Sequence, residues 1–261
     1  MICDAHIHVG YYNRKGHEEP FYYSPRRICT VLKKCGVDEF IYSSTSMQTH
    51  GIDYDGVNRE MLEVQKIFGK GAHPFLWVTK RYHFSNPKIS DLQYGFYEGV
   101  KLHGLDGSQW ITKNADALEE VLSAAERHNK PVMIHTGCEE DARPSNYLPF
   151  IVKHPNLRFN LAHGRPADEV EECMGASSNV FADMAYMDPD DMPRYLADGW
   201  VDRLLWGSDF PTYAAISGKS LTKTMREDVR NCNWLAERID FAANFRRYLN
   251  GESKEPEHGN M

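Results

Sequence analysis

Residues 131–163 read PVMIHTGCEEDARPSNYLPFIVKHPNLRFNLAH. The stretch opens on a short aliphatic run, Pro131 to His135, crosses a segment with helix-like apolar spacing over Ser145 to Val152, and returns as a second run from Arg158 to His163. Strand, crossover helix and strand are the repeating unit of a parallel sheet, and here both strands end on a histidine. Working outward, the same alternation predicts strands over Ile2 to Val9, Glu39 to Ser43, Pro74 to Val78, Gly99 to His103, Val180 to Met184 and Arg203 to Ser208. Helices are predicted over Asn58 to Phe68, Asn114 to Asn129, Ala167 to Met174, Pro189 to Ala197 and Ile239 to Leu249. The second of these places Leu118, Val121, Leu122 and Ala125 on one face behind Asn114 as N-cap. Eight strands alternating with helices predict an α/β protein, a (β/α)8 TIM barrel in preference to a doubly wound sheet.

The 261 residues suffice for one such barrel, which usually takes roughly 250. No Gly/Ser/Pro-rich linker divides them, so a single domain over residues 1–250 and a polar tail over 251–261 are expected. With 41% hydrophobic and 26% charged residues, the chain is neither collagenous, coiled-coil nor disordered. A net charge of -7 without clustered Lys and Arg argues against a nucleic-acid partner. No run reaches the roughly 18 apolar residues of a membrane span. The N-terminus MICDAHIHVG lacks the charged start and apolar middle of a signal peptide, so no membrane partner and a cytoplasmic location are expected. The six cysteines are scattered without a CxxC pair and are expected to be reduced thiols; Cys138, close after His135, reads either as a reactive thiol or as a small hydrophobe. Tyr11 to Arg26, Tyr82 to Tyr97 and Thr212 to Ser220 read as rim loops, where specificity would sit.

The chemistry gathers at the strand ends. In the first strand Asp4, His6 and His8 alternate with Ala5 and Ile7, and a two-residue period places the three polar side chains on one face. Two imidazoles one strand step apart can hold one divalent cation, although a lone HxH is also what two partly exposed histidines look like. Repetition decides between these readings. His103 ends GVKLH, His135 ends PVMIH, His163 ends RFNLAH and Asp209 follows LLWGS. In a parallel barrel all strand C-termini open at one mouth, so these residues converge where such folds place their chemistry.

The set DAHIHVG, GVKLHG, VMIHTG, LAHGR and LLWGSDFP, with AANFRRYLNG at the end, resembles the amidohydrolase superfamily, and within it the amidohydrolase-2 (amidohydrolase-related) branch. The likeness runs from Asp4 to about Asn250 and includes a closing NxxRxL segment at Asn244, Arg247 and Leu249. It implies a distorted (β/α)8 barrel with one divalent metal at the mouth, zinc or alternatively manganese, held by His6, His8, His135 and Asp209. His163 would be the acid/base or carbonyl-polarising residue, and Asp209 would also hold or deprotonate the water. Asp4 would orient an imidazole or cap a strand end. Lys101 stands where binuclear members carry a carboxylated lysine; one metal is preferred because this branch is usually mononuclear, leaving Lys101 and His103 as pocket residues.

Two readings go beyond that pattern. GRPADE after His163 replaces the glycine-rich turn of many relatives, so Arg165 either faces the mouth, where it would bind a substrate carboxylate, or makes a loop salt bridge. Arg14, Arg81 and Arg143 also follow strands, and Trp110, Tyr186 and Trp206 read as pocket walls or core. The expectation is metal-dependent hydrolysis of a small, carboxylate-bearing amide, ester or lactone by a metal-activated water. The alternative is a lyase, a decarboxylase or hydratase of an unsaturated or aromatic carboxylic acid on the same site. A metal-dependent deoxyribonuclease is disfavoured by Lys101 and GSDFP, where that family has a glutamate and ETDxP. A metal-free lactonase and a non-catalytic binder stay open. Oligomeric state is nearly silent, and a homo-oligomer is compatible.

Overall fold

A computed structural model describes residues 1–12, 18–47, 51–78, 95–104, 114–197 and 199–251. The expected rim segment Tyr82 to Tyr97 falls largely outside these residues, as do Arg14, Arg81, Trp110 and positions 252–261 of the expected tail.

Among the described residues nine strands form one sheet. They are β1 (Cys3–Tyr12), β2 (Phe21–Tyr23), β3 (Glu39–Ser44), β4 (Ala72–Trp77), β5 (Gly99–His103), β6 (Val132–His135), β7 (Phe159–Ala162), β8 (Val180–Asp183) and β9 (Leu204–Leu205). The order is β2-β1-β3-β4-β5-β6-β7-β8-β9, and every pairing is parallel except the β1/β2 hairpin. The ladder order is open. Beside the end strand β2, β1 meets the segment after β9 through Ala5 N donating to Trp206 O (2.8 Å), His8 N donating to Phe210 O (2.8 Å) and a parallel bridge between Ile7 and Phe210. The eight expected strands are all present, and β2 is an addition.

Alternation along the strands sorts the side chains into two clusters. Phe40, Tyr42, Leu76, Val100, Leu102, Ile134, Leu161 and Ala182 pack outward into the larger one. It takes in helices α1 (Pro25–Cys35), α2 (Tyr54–Phe68), α3 (Ala115–Arg127) and α5 (Ala167–Ala176), which follow β2, β3, β5 and β7. Ile41, Phe75, Met133, Phe181 and Leu205 point the other way into a small interior cluster, which Phe245, Tyr248 and Leu249 of the last helix α9 (Phe241–Asn250) plug at the N-terminal end of the strands. Continuing the two-residue step from that plug brings Ser43, Trp77, Lys101, His103, His135 and Asp183 onto the inner face at the opposite, C-terminal end. The interior is thus apolar at one end and built of ionisable groups at the other.

The expected helices form with shifted limits. Asn114 caps α3 by accepting from Ala117 N at 3.2 Å, and α4 (Leu148–Lys153) follows a 3-10 turn at Pro144–Asn146. The helix expected from Pro189 is α6 (Met192–Ala197). The segments expected as loops are partly regular: Tyr11 to Arg26 contains β2 and the start of α1, and Thr212 to Ser220 contains α7 (Thr212–Ser217). A further helix, α8 (Leu221–Leu235), packs against α1. The closing segment is structural, since Asn244 Nδ2 donates to Val201 O and Leu204 O at 2.8 and 2.7 Å and so ties α9 to β9. No helix among the described residues is long and apolar enough to cross a membrane.

Candidate metal centre

β1 does not alternate as its sequence suggests. Its register against β3 shifts between Asp4 and Ile7, so Cys3 and Ala5 join the interior cluster, Ile7 and Val9 the outer one, and His6 and His8 face inward. The extra residue turns Asp4 aside. Its carboxylate accepts from His6 N (3.0 Å), Ser208 N (3.1 Å) and Ser208 Oγ (2.6 Å), fastening β1 to the segment after β9. Asp4 therefore ties backbone to backbone and orients no imidazole, contrary to the first of the two roles expected for it.

The carboxylate that faces an imidazole is Asp183, at the end of β8. Its Oδ2 lies 3.2 Å from His6 Nδ1, a close approach off the line of an ideal hydrogen bond, and takes a hydrogen bond from Asn160 Nδ2 at 3.0 Å. Its Oδ1 accepts from His163 N and Ala185 N, both at 3.1 Å. Burial alone would raise its pKa, but His6 beside it and His163, the latter also through its backbone N–H, hold it down at about 2. An ionised Asp183 can only accept, which keeps the His6 proton on Nδ1 and points the Nε2 lone pair inward.

There Nε2 of His6 meets Nε2 of His8 at 3.1 Å and Oδ1 of Asp209 at 3.5 Å, and His8 Nε2 lies 3.0 Å from the same oxygen. These three residues form a buried donor group. The edge of a tetrahedron with metal–ligand bonds of about 2.0–2.1 Å is about 3.3 Å, so the triangle has the size of one face of a zinc site. Imidazole nitrogens and a carboxylate converging on one point are also the donor chemistry that zinc or manganese takes. Nδ1 of His8 is held by Ser43 Oγ at 2.9 Å, which fixes that ring from behind.

His135, expected as a fourth ligand, stands beside this triangle in a chain of rings. Its ring stacks on His103 (centroids 3.9 Å, 9° between planes), which stacks on Trp77 (5.5 Å, 12°). Its Nδ1 lies 2.9 Å from Nε2 of His163, whose Nδ1 lies 2.9 Å from the carbonyl of Ala185. A carbonyl only accepts, so in neutral His163 the proton sits on Nδ1 and Nε2 accepts; His135 then donates from Nδ1 and keeps its Nε2 lone pair free. His163 and Asp209 adopt φ of +79° and +50°, left-handed conformations that cost a non-glycine residue about 1 kcal/mol.

Lys101 is buried, with Nζ 3.1 Å from His6 Nε2 and 3.2 Å from Met133 Sδ. Burial lowers its pKa to about 8 against the pull of Asp183 and Asp209. It faces the donor triangle itself, where the expectation had it lining a substrate pocket. Arg165 is half-buried, donates from Nη1 to Tyr186 O at 3.4 Å, and lines a cleft of about 520 Å3 with Cys138, Tyr186, Asp188 and Arg194. Arg143 pairs with Glu169 at the surface. Tyr186 stands 5.8 Å from His163 ring to ring, and Trp206 is core.

Burial lowers the proton affinity of four of these histidines, His8 and His163 to about 4 and His103 and His135 well below the ordinary 6.5. In the unfolded chain they titrate near 6.5, so between pH 6.5 and 4 the unfolded state binds protons that the folded apoprotein does not. Burial pushes Asp4 up to about 8 and Asp228 up to about 6, which work in the opposite sense, two groups against four. The urea midpoint of chelator-treated protein should therefore fall between pH 6.5 and 4.5, and a level midpoint would contradict the burial of neutral histidines.

A family model described as amidohydrolase matches residues 88–214. No curated protein matches the sequence. Among solved structures the chain is similar to a probable 2-pyrone-4,6-dicarboxylic acid hydrolase from Acinetobacter baumannii with citric acid bound (14% identity, TM-score 0.64, 95% of this chain and 98% of that one). It is similar to dihydroorotase from Saccharomyces cerevisiae in complex with 5-fluoroorotic acid (14%, 0.65, 97% and 85%). It is also similar to amidohydrolase 2 from Bifidobacterium longum subsp. infantis (15%, 0.62, 96% and 99%). At these identities the likeness shows a shared TIM-barrel fold.

Proposed function

Because the chain belongs to the amidohydrolase-2 family, we propose that it is a metal-dependent hydrolase of a small, carboxylate-bearing amide, ester or lactone. The observation that carries this reading is the convergence of His6 Nε2, His8 Nε2 and Asp209 Oδ1 at 3.0–3.5 Å. In this proposal His135 supplies a fourth ligand through the Nε2 that its bond to His163 leaves free, and the curled sheet is a complete (β/α)8 barrel. A divalent ion there, zinc or manganese, would act as a Lewis acid and bring the pKa of water to about 7.

The chain's own groups do the rest. Asp209, held far below the ordinary carboxylate range by the histidines around it, stays ionised and orients the attacking water by accepting its proton in a hydrogen bond. As the water oxygen adds to the carbonyl carbon, a proton must leave it and reach the departing nitrogen or oxygen; His163 is the residue assigned to carry it, on an Nε2 that must first release the His135 Nδ1–H it accepts at 2.9 Å. Arg165, on the rim cleft, would pair with the substrate carboxylate, and His103 and Lys101 would complete the wall.

The test compares chelator-stripped protein with protein reloaded with zinc or manganese on a panel of carboxylate-bearing lactones, esters and amides, with unsaturated and aromatic carboxylic acids alongside. Hydrolysis that disappears on stripping and returns on reloading is expected. Release of CO2 or addition of water across a double bond would instead establish the lyase alternative. Turnover indifferent to stripping would identify a metal-free lactonase.

A further inference from the structure

We propose that Tyr12 is a further catalytic residue, whose phenol donates a hydrogen bond to the substrate oxygen held beside the His6, His8 and Asp209 triangle. The proposal rests on the hydrolase reading above and adds the group that meets the charge developing on that oxygen. Tyr12 closes β1, the strand that carries both histidines, and its ring stands 6.3 Å from that of His8. Its hydroxyl accepts from Thr212 Oγ1 at 3.2 Å. Thr212 N in turn donates to Asp209 O at 2.9 Å, so the phenol is tied to the very turn that presents Asp209. Tyr23 packs edge-on against the ring at 5.7 Å and 86°, which fixes its plane from the other side.

The direction of the Thr212 bond matters. Because the phenol oxygen accepts, its own proton is left to donate, and Thr212 is its one hydrogen-bonding partner among the described residues. Two of the buried tyrosines spend that proton on the backbone: Tyr42 donates to Met61 O at 2.7 Å and Tyr195 to Gly164 O at 2.9 Å. Tyr12 has the fixed ring of a structural tyrosine with the proton of an available donor, and it has them at the mouth. A preorganised donor of this kind costs no reorientation when substrate charge develops.

The probe is acetohydroxamic acid, a small chelator with a carbonyl oxygen, titrated calorimetrically into zinc-loaded protein. Tyr12→Phe removes one oxygen atom and should weaken acetohydroxamate by about five- to tenfold while zinc content and melting temperature stay at wild-type values. Thr212→Val, which leaves the phenol but frees it to rotate, should weaken the probe by about two- to threefold. Unchanged affinity in Tyr12→Phe overturns the assignment; should that variant fail to fold, unchanged affinity in Thr212→Val overturns it. Failure of the wild type to take up zinc would sink the hydrolase reading instead, and elemental analysis shows that before any titration.

Discussion

Asp209→Ala is expected to yield a folded protein that retains little metal and turns over substrate at least about 10³-fold more slowly than wild type. Asp209 supplies the only carboxylate of the donor triangle, within 3.0 and 3.5 Å of two imidazole nitrogens, and without it only neutral imidazoles, those of His6, His8 and His135, would be left to hold a dication. Loss of Lewis-acid activation removes several kcal/mol of transition-state stabilisation, and about 4 kcal/mol is already a factor of 10³. The fold should survive because Asp209 is not part of the ladder: β1 is fastened to this segment through Ser208 and Phe210 on either side of it. Metal per chain and kcat/KM measured on the same preparation check the prediction. A variant that keeps both at wild-type levels would remove Asp209 from the site.

Asp183→Asn should lower metal affinity by about 10- to 100-fold without touching a metal-facing atom. Asp183 faces Nδ1 of His6 and holds the turn of His163 through two backbone N–H groups. The amide would present an NH2 group toward either Asn160 Nδ2 or those backbone donors, and it would no longer favour the tautomer that turns the His6 lone pair inward. Competition with a chromophoric chelator reads the affinity, and a denaturant melt of the apoprotein separates it from the accompanying loss of buried hydrogen bonds. An affinity unchanged from wild type would mean that His6 needs no orienting partner.

Asp183 shows where reading the sequence stops. The strands were readable because each is a short aliphatic run between polar segments, and the histidines were conspicuous because three of those runs end on one. NVFAD ends in the same way, but an aspartate at a strand end has many ordinary uses, and only the inward parity of Phe181 and Asp183 against Val180 and Ala182 singles it out. Asp4 failed for the opposite reason. Perfect alternation with His6 and His8 promised a shared face, and the register shift between Asp4 and Ile7, a backbone event with no residue signature of its own, turned it toward Ser208.

The missed helices have a similar physical cause. α8 buries Leu221, Thr224, Met225, Cys232 and Leu235, a face too weakly apolar to stand out among its charged neighbours. α1 opens on Pro25, which reads as a loop residue but fits the first turn of a helix behind Ser24, whose side chain accepts from Arg27 N. Tyr12, four residues beyond His8 on the same strand, lay within reach of the two-residue period, had the strand not been ended at Val9. What no period conveys is the pairing of rings across strands, such as His103 on His135, because that depends on the register of β5 against β6.

The central claim is that one divalent ion sits on the triangle of His6, His8 and Asp209, and the most direct measurement is elemental analysis of the purified wild-type chain after zinc or manganese loading. The site described here predicts about one mole of metal per chain. Two moles would bring Lys101 and His163 into a binuclear site, and none, in protein purified without chelator and offered metal afterwards, would contradict the account.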